Sequence, residues 1–196
     1  MPPKFGTSGL RGLVTELTPD LVADYVQAFC ASCPVGNGLY VGRDLRPSSP
    51  AIAAMVIEAA RAVGVPVVDC GDVPTPALAL ASMGAGAAAV MITGSHIPAD
   101  RNGLKFYVPE GEVSKAHEQA ILAALGKDRV YSVANMRVET GAAAAYVARY
   151  VDAFGADALR GRSVGVYSHS TVGRDILMDV LRGLGAQVVE LGRSET

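Results

Sequence analysis

The apolar residues of this chain fall into short runs that alternate with longer segments of helical spacing. A run of about four to eight apolar residues that is not interrupted by polar ones is typical of a strand buried on both faces. Such runs lie at 38–42, 66–69 and 87–92, and segments with apolar residues at helical spacing lie at about 18–31, 48–64 and 76–83. The alternation of the two patterns predicts an α/β protein.

Proline and hydroxyl residues mark where two of these helices begin. Thr75 precedes Pro76, a pair that suits an N-cap followed by the first helical residue. The same device recurs where Ser48 or Ser49 precedes Pro50. Both helices are therefore expected to begin with a side-chain cap.

The later part of the chain predicts the end of one domain and the start of another. Residues 103–107 indicate a further strand, and Val113–Leu125 indicates an amphipathic helix ended by Gly126. Residues 128–141 are predicted to be a connection, followed by a helix at 142–154 and a strand at 164–167. We expect a three-layer α/β/α domain with a mixed, mostly parallel sheet over 1–130, and an incomplete second α/β domain of similar build over 142–196.

One segment of the chain recurs. Ile57–Gly71 aligns without gaps with Met178–Gly192, at a constant offset of 121 positions. The identical pairs are Arg61 with Arg182, Gly64 with Gly185, Val67 with Val188, Val68 with Val189, and Gly71 with Gly192. Each copy has the pattern of a helix, a glycine stop and a buried strand, which favours a duplicated strand-helix-strand unit. A chance match between two α/β units is the alternative.

Composition excludes several classes of function. Half of the residues are hydrophobic, which is ample for a core, but no apolar run approaches the ~20 residues of a membrane span. The net charge of -2 and the scattered lysines and arginines argue against a nucleic-acid partner. Three cysteines cannot all pair within the chain, and the first residues lack a signal-peptide core. We expect a cytoplasmic protein with no membrane partner, and the oligomeric state is left open.

The segment most suggestive of chemistry follows the run at 87–92. Thr93–Pro98 should lie at the carboxyl end of a buried strand, where open α/β sheets place their ligand crevices. Gly94 lets the backbone approach a ligand, and Pro98 stiffens the turn, so that Ser95 would present its hydroxyl on a rigid bend.

A serine hydroxyl needs a base or a strong electrostatic environment to act as a nucleophile. His96, Arg101 and Lys105 could supply one. A hydroxyl among cations suits phosphoryl transfer better than a protease-like reaction, because that transfer depends on positioning and charge neutralisation. The G-x-S-x-G pattern of hydrolases is absent. An ordinary polar loop after a strand remains the alternative interpretation.

Three segments, in the same order along the chain, resemble the α-D-phosphohexomutase family. Thr93–Pro98 with Asn102–Lys105 resembles the family's T-A-S-H-N-P and N-G-x-K. Phe5–Gly12 resembles its opening F-G-T-S-G-L-R-G, and Val41–Ser49 resembles its V-G-x-D-x-R-x-S-S. Within the serine loop, glycine at position 94 replaces the usual alanine and isoleucine at position 97 replaces the usual asparagine.

The resemblance implies a phosphomannomutase or phosphoglucomutase type of reaction. Ser95 would carry a phosphoryl group, pass it to a phosphosugar and retrieve another from the bisphosphorylated intermediate, so that hexose 1-phosphate and hexose 6-phosphate interconvert. His96 and Lys105 would lie beside the transferring phosphate as the other catalytic residues. The implied substrate-binding residues are Thr7, Ser8, Arg11, Arg43 and Asn102.

The resemblance also implies Mg²⁺ and a hexose 1,6-bisphosphate activator. Ser95 would bind the metal through its phosphate, and the remaining ligands, from an Asp-rich D-G-D-x-D-R loop, would lie beyond Thr196. On this interpretation the chain is an amino-terminal fragment that is inactive alone. Two alternatives are a phosphoglucosamine mutase, which usually has serine where Thr93 stands, and a non-catalytic phosphosugar-binding protein.

Overall fold

The chain folds into two compact units, Met1–Glu139 and Thr140–Thr196. The computed structural model describes residues 3–6 and 9–194. The boundary between the units falls inside the connection that the sequence placed at 128–141. The first unit therefore continues past residue 130, because part of that connection joins its sheet.

The first unit is built on an eight-stranded mixed sheet within its described residues. The strands are β1 (Lys4–Phe5), β2 (Gly9–Leu13), β3 (Leu39–Arg43), β4 (Val67–Asp72), β5 (Ala88–Ile92), β6 (Arg101–Val108), β7 (Gly111–Glu112) and β8 (Met136–Val138). Their order is β1-β2-β6-β5-β3-β4-β8, with β7 paired to β6. Strands β5, β3, β4 and β8 are parallel, and β6 runs antiparallel to its neighbours β2, β5 and β7.

Helices cover both faces of this sheet. They are α1 (Pro19–Ser32), α2 (Ser49–Ala62), α3 (Thr75–Gly84) and α4 (Lys115–Ala124). Leu39 and Val41 of β3 point into the main core, which α1, α2 and α4 share. Gly42, on the opposite face of the same strand, lies against Leu78 of α3. Because neighbouring strand residues face opposite ways, the expected three-layer α/β/α arrangement is confirmed.

The expected caps of α2 and α3 are wrong. Helix α3 has Pro74 at its N-cap and Thr75 as its first residue, and α2 has no side-chain cap although Ser48 stands at its N-cap. The Ser49 hydroxyl donates instead to Asp44 Oδ1 at 2.6 Å. The Ser49 hydroxyl therefore serves the loop before the helix, through a hydrogen bond to a charged acceptor.

Strand β8 was not predicted. It pairs in parallel with β4, placing Met136 opposite Val67 and Val138 opposite Asp69. Met136 and Val138 are 44 and 63% exposed. A strand that is defined by edge pairing rather than by burial leaves no continuous apolar run in the sequence, so the pattern indicated only a connection.

The second unit contains α5 (Ala142–Phe154), β9 (Ser163–Tyr167), α6 (Arg174–Gly183) and β10 (Gln187–Leu191) in its described part. Strands β9 and β10 are parallel, with Gln187 opposite Ser163. Helix α5 packs on α6 through Tyr146 and Tyr150 against a cluster that includes Ile176 and Val180. This is a strand-helix-strand unit with one additional helix.

The repeated segment ends its helix in the same way in both copies. Gly64 and Gly185 both have positive φ, at +82° and +89°. Gly64 N donates to Arg61 O at 3.1 Å, and Gly185 N donates to Arg182 O at 2.9 Å. Each arginine also pairs with an acidic residue three positions earlier, at 2.8 and 3.3 Å. Both copies therefore have the glycine stop that the sequence predicts, a common helix ending that fits a duplication and a chance match equally.

Candidate active site

Ser95 lies on a strained bend between β5 and β6. Its φ of +51° makes it the one non-glycine residue with positive φ among the described residues. The left-handed region costs roughly 1–2 kcal/mol for a residue with a Cβ. Ser95 N donates to Thr93 Oγ1 at 2.9 Å, which helps to hold the bend. Strain of this kind persists where the surroundings over-determine the backbone, and it concentrates at functional sites.

The Ser95 hydroxyl has a neighbour that can take a proton. Ser95 Oγ and His96 Nδ1 are 3.2 Å apart, and both side chains are exposed. With Nδ1 unprotonated, the imidazole can accept the hydroxyl proton; with Nδ1 protonated, it can donate to the serine oxygen. The hydroxyl thus has the contact that a nucleophile or a phosphoryl acceptor requires.

A cavity of about 260 Å³ connects Ser95 to two cations. Its lining includes Arg11, Thr75, Thr93, Ser95 and Lys105. Three of the predicted site residues, Ser95, Arg11 and Lys105, therefore meet in one place. His96 and Ser95 are joined by their direct contact at the rim.

The two cations come from facing strands. Arg11 of β2 lies opposite Gly103 of β6, and Lys105 of β6 lies opposite Gly9 of β2. Residues directly opposite in an antiparallel pair share a face of the sheet, so both cations point to the same side and each faces a glycine. A Cβ at position 9 would lie 1.9 Å from Leu104 O, so glycine is required there by the close packing of the strands.

Lys105 is held by a carboxylate and a phenol. Its Nζ donates to Glu112 Oε1 and, at 3.3 Å, to Tyr107 OH. Burial by itself lowers the pKa of Lys105, but the hydrogen bonds with Glu112 and Tyr107 raise it above its ordinary value overall. The bond from Lys105 in turn holds the pKa of Glu112 below its usual range. The ammonium therefore persists at neutral pH, and Lys105 lines the cavity in its charged form.

Two residues that were not among the predicted site residues contact the serine loop directly. Asp44 Oδ2 accepts from Gly94 N at 3.0 Å, and Arg46 donates to backbone carbonyls of the loop, among them Ile97 O at 2.6 Å. Both follow β3 in the V-G-x-D-x-R-x-S-S segment. That motif could have indicated Asp44 and Arg46, but Arg43 was the residue of this segment that was predicted to bind substrate.

Arg43 lies elsewhere. It pairs across the ladder with Asp72 and forms ion pairs with Asp69 at 3.2 Å and with Asp72 at 2.8 Å. It is absent from the cavity lining. The expectation that Arg43 contacts substrate is therefore not supported by its position, because carboxylates of β4 already occupy its guanidinium.

Asn102 is a buried structural residue. It is 0% exposed, and its Nδ2 donates to Ser48 Oγ and Ser49 Oγ, each at 2.9 Å. Its Oδ1 accepts from Gly103 N at 2.8 Å. The amide is fully used inside the protein, so the expected substrate contact is corrected to a support of the loop before α2. Thr7 and Ser8 lie outside the described residues.

Comparison with known proteins decides the family. Residues 2–132 match the family model described as phosphoglucomutase/phosphomannomutase, alpha/beta/alpha domain I. The chain belongs to the phosphoglucomutase/phosphomannomutase family. The match spans the cavity, both cations and the Ser95 loop.

Relatives of this family member are named for mutase activity. A phosphomannomutase of Sinorhizobium fredii is 49% identical over all of this chain and 44% of its own length. A phosphomannomutase of Salmonella muenchen is 40% identical over 97% of this chain and 41% of its own length. A phosphoglucosamine mutase of Thermosipho africanus is 38% identical over 60% of this chain and 27% of its own length. The chain thus spans less than half the length of these relatives.

A solved structure agrees with the fold. The putative phosphomannomutase of Thermus thermophilus superposes with a TM-score of 0.80 at 27% identity, covering 97% of this chain and 46% of that one.

The metal that the family resemblance implied has no protein-built site in this part of the molecule. Among residues 3–6 and 9–194, no three His, Cys, Asp or Glu side chains are grouped to hold a cation. The nearby Asp44 is committed to Gly94 N, Ser49 and Arg46.

Within residues 3–6 and 9–194, every helix is too short or too polar to cross a lipid bilayer.

Proposed function

We propose that this chain carries the phosphoserine domain of a phosphohexomutase, which interconverts hexose 1-phosphate and hexose 6-phosphate. The observation that carries the proposal is the meeting of the exposed Ser95 hydroxyl with Arg11 and Lys105 around one cavity. The residues that line this cavity lie within 2–132, the range that matches the family model. A hydroxyl between two cations suits an anionic substrate whose phosphoryl group is transferred.

Ser95 Oγ accepts the phosphoryl group in this proposal. The serine oxygen attacks phosphorus of a hexose 1,6-bisphosphate, and the bond from phosphorus to one sugar oxygen breaks. The serine proton passes to His96 Nδ1, 3.2 Å away, and is returned by way of solvent water to the sugar oxygen that leaves. The reverse transfer, to the other hydroxyl of a hexose monophosphate, regenerates the free serine and the bisphosphate.

The cations provide the electrostatic part of the reaction. Negative charge on the transferring group is spread over its peripheral oxygens, and fixed donors lower the barrier most when they need no rearrangement. The ammonium of Lys105 is fixed by Glu112 and Tyr107, and the backbone of Arg11 is fixed by its pairing with Gly103. Both are proposed to bind phosphate oxygens rather than to move protons.

We also propose that the protein binds Mg²⁺. Among the described residues, only the phosphate on Ser95 would supply ligand oxygens to this metal. When bound, a hard divalent cation neutralises phosphate charge. The activator is proposed to be hexose 1,6-bisphosphate, the partner a phosphosugar, and the compartment the cytoplasm. Without the metal ligands, the 196-residue chain is expected to show no mutase turnover.

Mannose and glucose phosphates are the proposed substrates. The naming of the two full-coverage relatives as phosphomannomutases favours mannose. Phosphoglucosamine mutase is the second candidate, supported by relatives of that name that match a shorter part of the chain. Assays with mannose 1-phosphate, glucose 1-phosphate and glucosamine 1-phosphate, on the full natural protein, separate these substrates by their kcat/KM.

Intact mass spectrometry tests the phosphoserine. After incubation with glucose 1,6-bisphosphate, the protein should gain one phosphoryl group that maps to Ser95, and Ser95→Ala should gain none. A protein that binds the sugar phosphate without becoming phosphorylated would be a non-catalytic binder. Phosphorylation at another residue, retained in Ser95→Ala, would overturn the assignment of Ser95.

A further inference from the structure

One arginine side chain is enclosed by the serine loop. Arg46 Nη1 donates to Pro98 O at 2.7 Å and to Arg101 O at 3.0 Å. Its Nη2 donates to Ile97 O at 2.6 Å and to Ser95 O at 3.4 Å. A single guanidinium group thus bonds four carbonyl oxygens between the end of β5 and the start of β6. Only a planar group with several fixed donors can satisfy such a ring of acceptors.

The arginine is anchored to the body of the domain through Asp44. Arg46 Nε and Asp44 Oδ2 are 3.7 Å apart, and the same carboxylate oxygen accepts from Gly94 N at 3.0 Å. Asp44 Oδ1 accepts from Arg46 N at 3.1 Å and from Ser49 Oγ at 2.6 Å. The loop is therefore bound through the amide of Gly94 and through four carbonyls to one ion pair that precedes α2.

Gly94 makes room for the guanidinium group. A Cβ at position 94 would lie 2.0 Å from both Cζ and Nε of Arg46. No van der Waals contact permits this distance, so a side chain at position 94 would displace the guanidinium from its present place. Gly94 is also where the loop departs from the alanine of the family motif.

We propose that Arg46 is a positioning residue for phosphoryl transfer, which holds Ser95 in its left-handed conformation with the hydroxyl at the cavity, and that in this chain its guanidinium does so from the space left open by Gly94. The predicted effect of Arg46 on catalysis rests on the proposed function. The geometric part stands separately, because Arg46 acts on the backbone of the loop and reaches neither the hydroxyl of Ser95 nor the cavity lining. Arg46→Lys and Gly94→Ala should both release the loop.

Amide hydrogen exchange tests the geometric part. In the full natural protein, the amides of Gly94, Ser95 and Ile97 should exchange about tenfold faster or more in Arg46→Lys and in Gly94→Ala, since local opening sets their protection. Arg61→Lys is the matched control, because Arg61 Nε also donates to a backbone carbonyl, Ala134 O at 3.0 Å, away from the loop. Unchanged protection in Arg46→Lys would overturn the proposal.

Phosphorylation kinetics test the catalytic part. At saturating glucose 1,6-bisphosphate, Arg46→Lys should slow phosphorylation of Ser95 by about tenfold or more with little change in half-saturation, since a misplaced nucleophile impairs the transfer step and not binding. Because Gly94→Ala displaces the same guanidinium, Arg46→Ala with Gly94→Ala should be no slower than Arg46→Ala alone. If the two substitutions together slowed phosphorylation by the product of their separate effects, the coupling between Arg46 and Gly94 would be contradicted.

The two readouts separate the two hypotheses. A wild-type protein that is never phosphorylated at Ser95 would refute the proposed function, while faster exchange in the variants would still support the positioning of the loop by Arg46. A phosphorylated wild type whose rate is unaffected by Arg46→Lys would refute the positioning role alone. Arg46→Lys keeps the charge and the aliphatic stem, so a folded variant is expected for both measurements.

Discussion

The loop after β5 and the loop after β9 both place a serine hydroxyl against a histidine ring nitrogen. Ser95 Oγ and His96 Nδ1 are 3.2 Å apart, and Ser170 Oγ and His169 Nδ1 are 3.1 Å apart. Both loops also receive hydrogen bonds from an arginine: Arg46 in the first unit, and in the second Arg174, which donates to His169 O at 3.3 Å. By these local features the loops are alike.

The surroundings of the two serines differ. Ser95 lies on a backbone with positive φ and shares a cavity with Arg11 and Lys105. Beside the second loop, Arg193 is bound to two carboxylates, those of Asp175 and Glu190, each at 2.8 Å. A contact between adjacent serine and histidine side chains follows from their adjacency. A site for phosphoryl groups requires cations that line the same cavity as the hydroxyl, and the facing strands β2 and β6 place Arg11 and Lys105 at the cavity that Ser95 also lines.

The largest effect is expected from removing each hydroxyl in turn. Ser95→Ala should lower mutase turnover of the full natural protein by about 10³-fold or more, because the group that accepts phosphorus is gone. Ser170→Ala removes the same atoms from the other loop and should leave turnover unchanged. A coupled assay with mannose 1-phosphate measures both. Equal losses in the two variants would remove the distinction between the loops.

The second effect contrasts the cations. Lys105→Met should lower kcat by about 10²-fold, as expected for the loss of a fixed donor to transition-state charge, and should leave the protein folded. Arg174→Met should instead destabilise the second unit by about 1 kcal/mol, because partly buried carbonyl acceptors such as His169 O lose their donor. Thermal denaturation and steady-state kinetics together provide the test. A stable Arg174→Met with lost activity would contradict it.

The third effect concerns pH. Glu112 raises the pKa of Lys105, so Glu112→Gln should move the alkaline limb of the Ser95 phosphorylation rate to lower pH. The raised lysine pKa means that the ion pair stabilises the fold below the unfolded pKa of lysine and is lost as pH rises through the folded value. The lowered pKa of Glu112 means that stability is lost as pH falls through its folded value.

The pH profile of the rate, measured by mass spectrometry for wild type and Glu112→Gln, checks this prediction. Lys115→Gln is a suitable control, since Lys115 pairs with Glu118 on α4 and lies outside the cavity. An alkaline limb that stays in place in Glu112→Gln would show that Lys105 does not govern it.

The smallest effect is expected at Arg43. Arg43→Gln breaks the ion pairs with Asp69 and Asp72, which are partly exposed, and should cost about 1 kcal/mol or less of stability. The KM for the sugar phosphate should stay unchanged. A raised KM with normal stability would return Arg43 to the substrate-binding residues and would extend the site beyond the cavity.

Much of the fold was predictable because burial leaves a pattern in the sequence. Strands β3 and β5 are buried apolar runs, and the bounds of α5 agree with the predicted helix at 142–154. Short strands at the antiparallel edge, such as Lys4–Phe5, and the exposed strand Met136–Val138 were not predicted. Their residues are set by pairing with a neighbour, which local periodicity does not record.

The sequence by itself determined which residues could do chemistry and where the chain would bend. Ser95 between a buried strand and Pro98, and Lys105 on the following strand, have their roles suggested by residue type and spacing alone. The tertiary structure decided which groups these side chains contact. Asn102 is buried and donates to Ser48 and Ser49, and Arg43 forms an ion pair with Asp69.

Arg46 gives the physical reason for this division. Its guanidinium bonds Ile97 O across a separation of 51 residues, in a space that exists because position 94 has no side chain. Local sequence sets backbone conformation and chemical capacity over a few residues. Which charged group meets which acceptor depends on the order of strands in the sheet, and that order is fixed by packing over the whole domain.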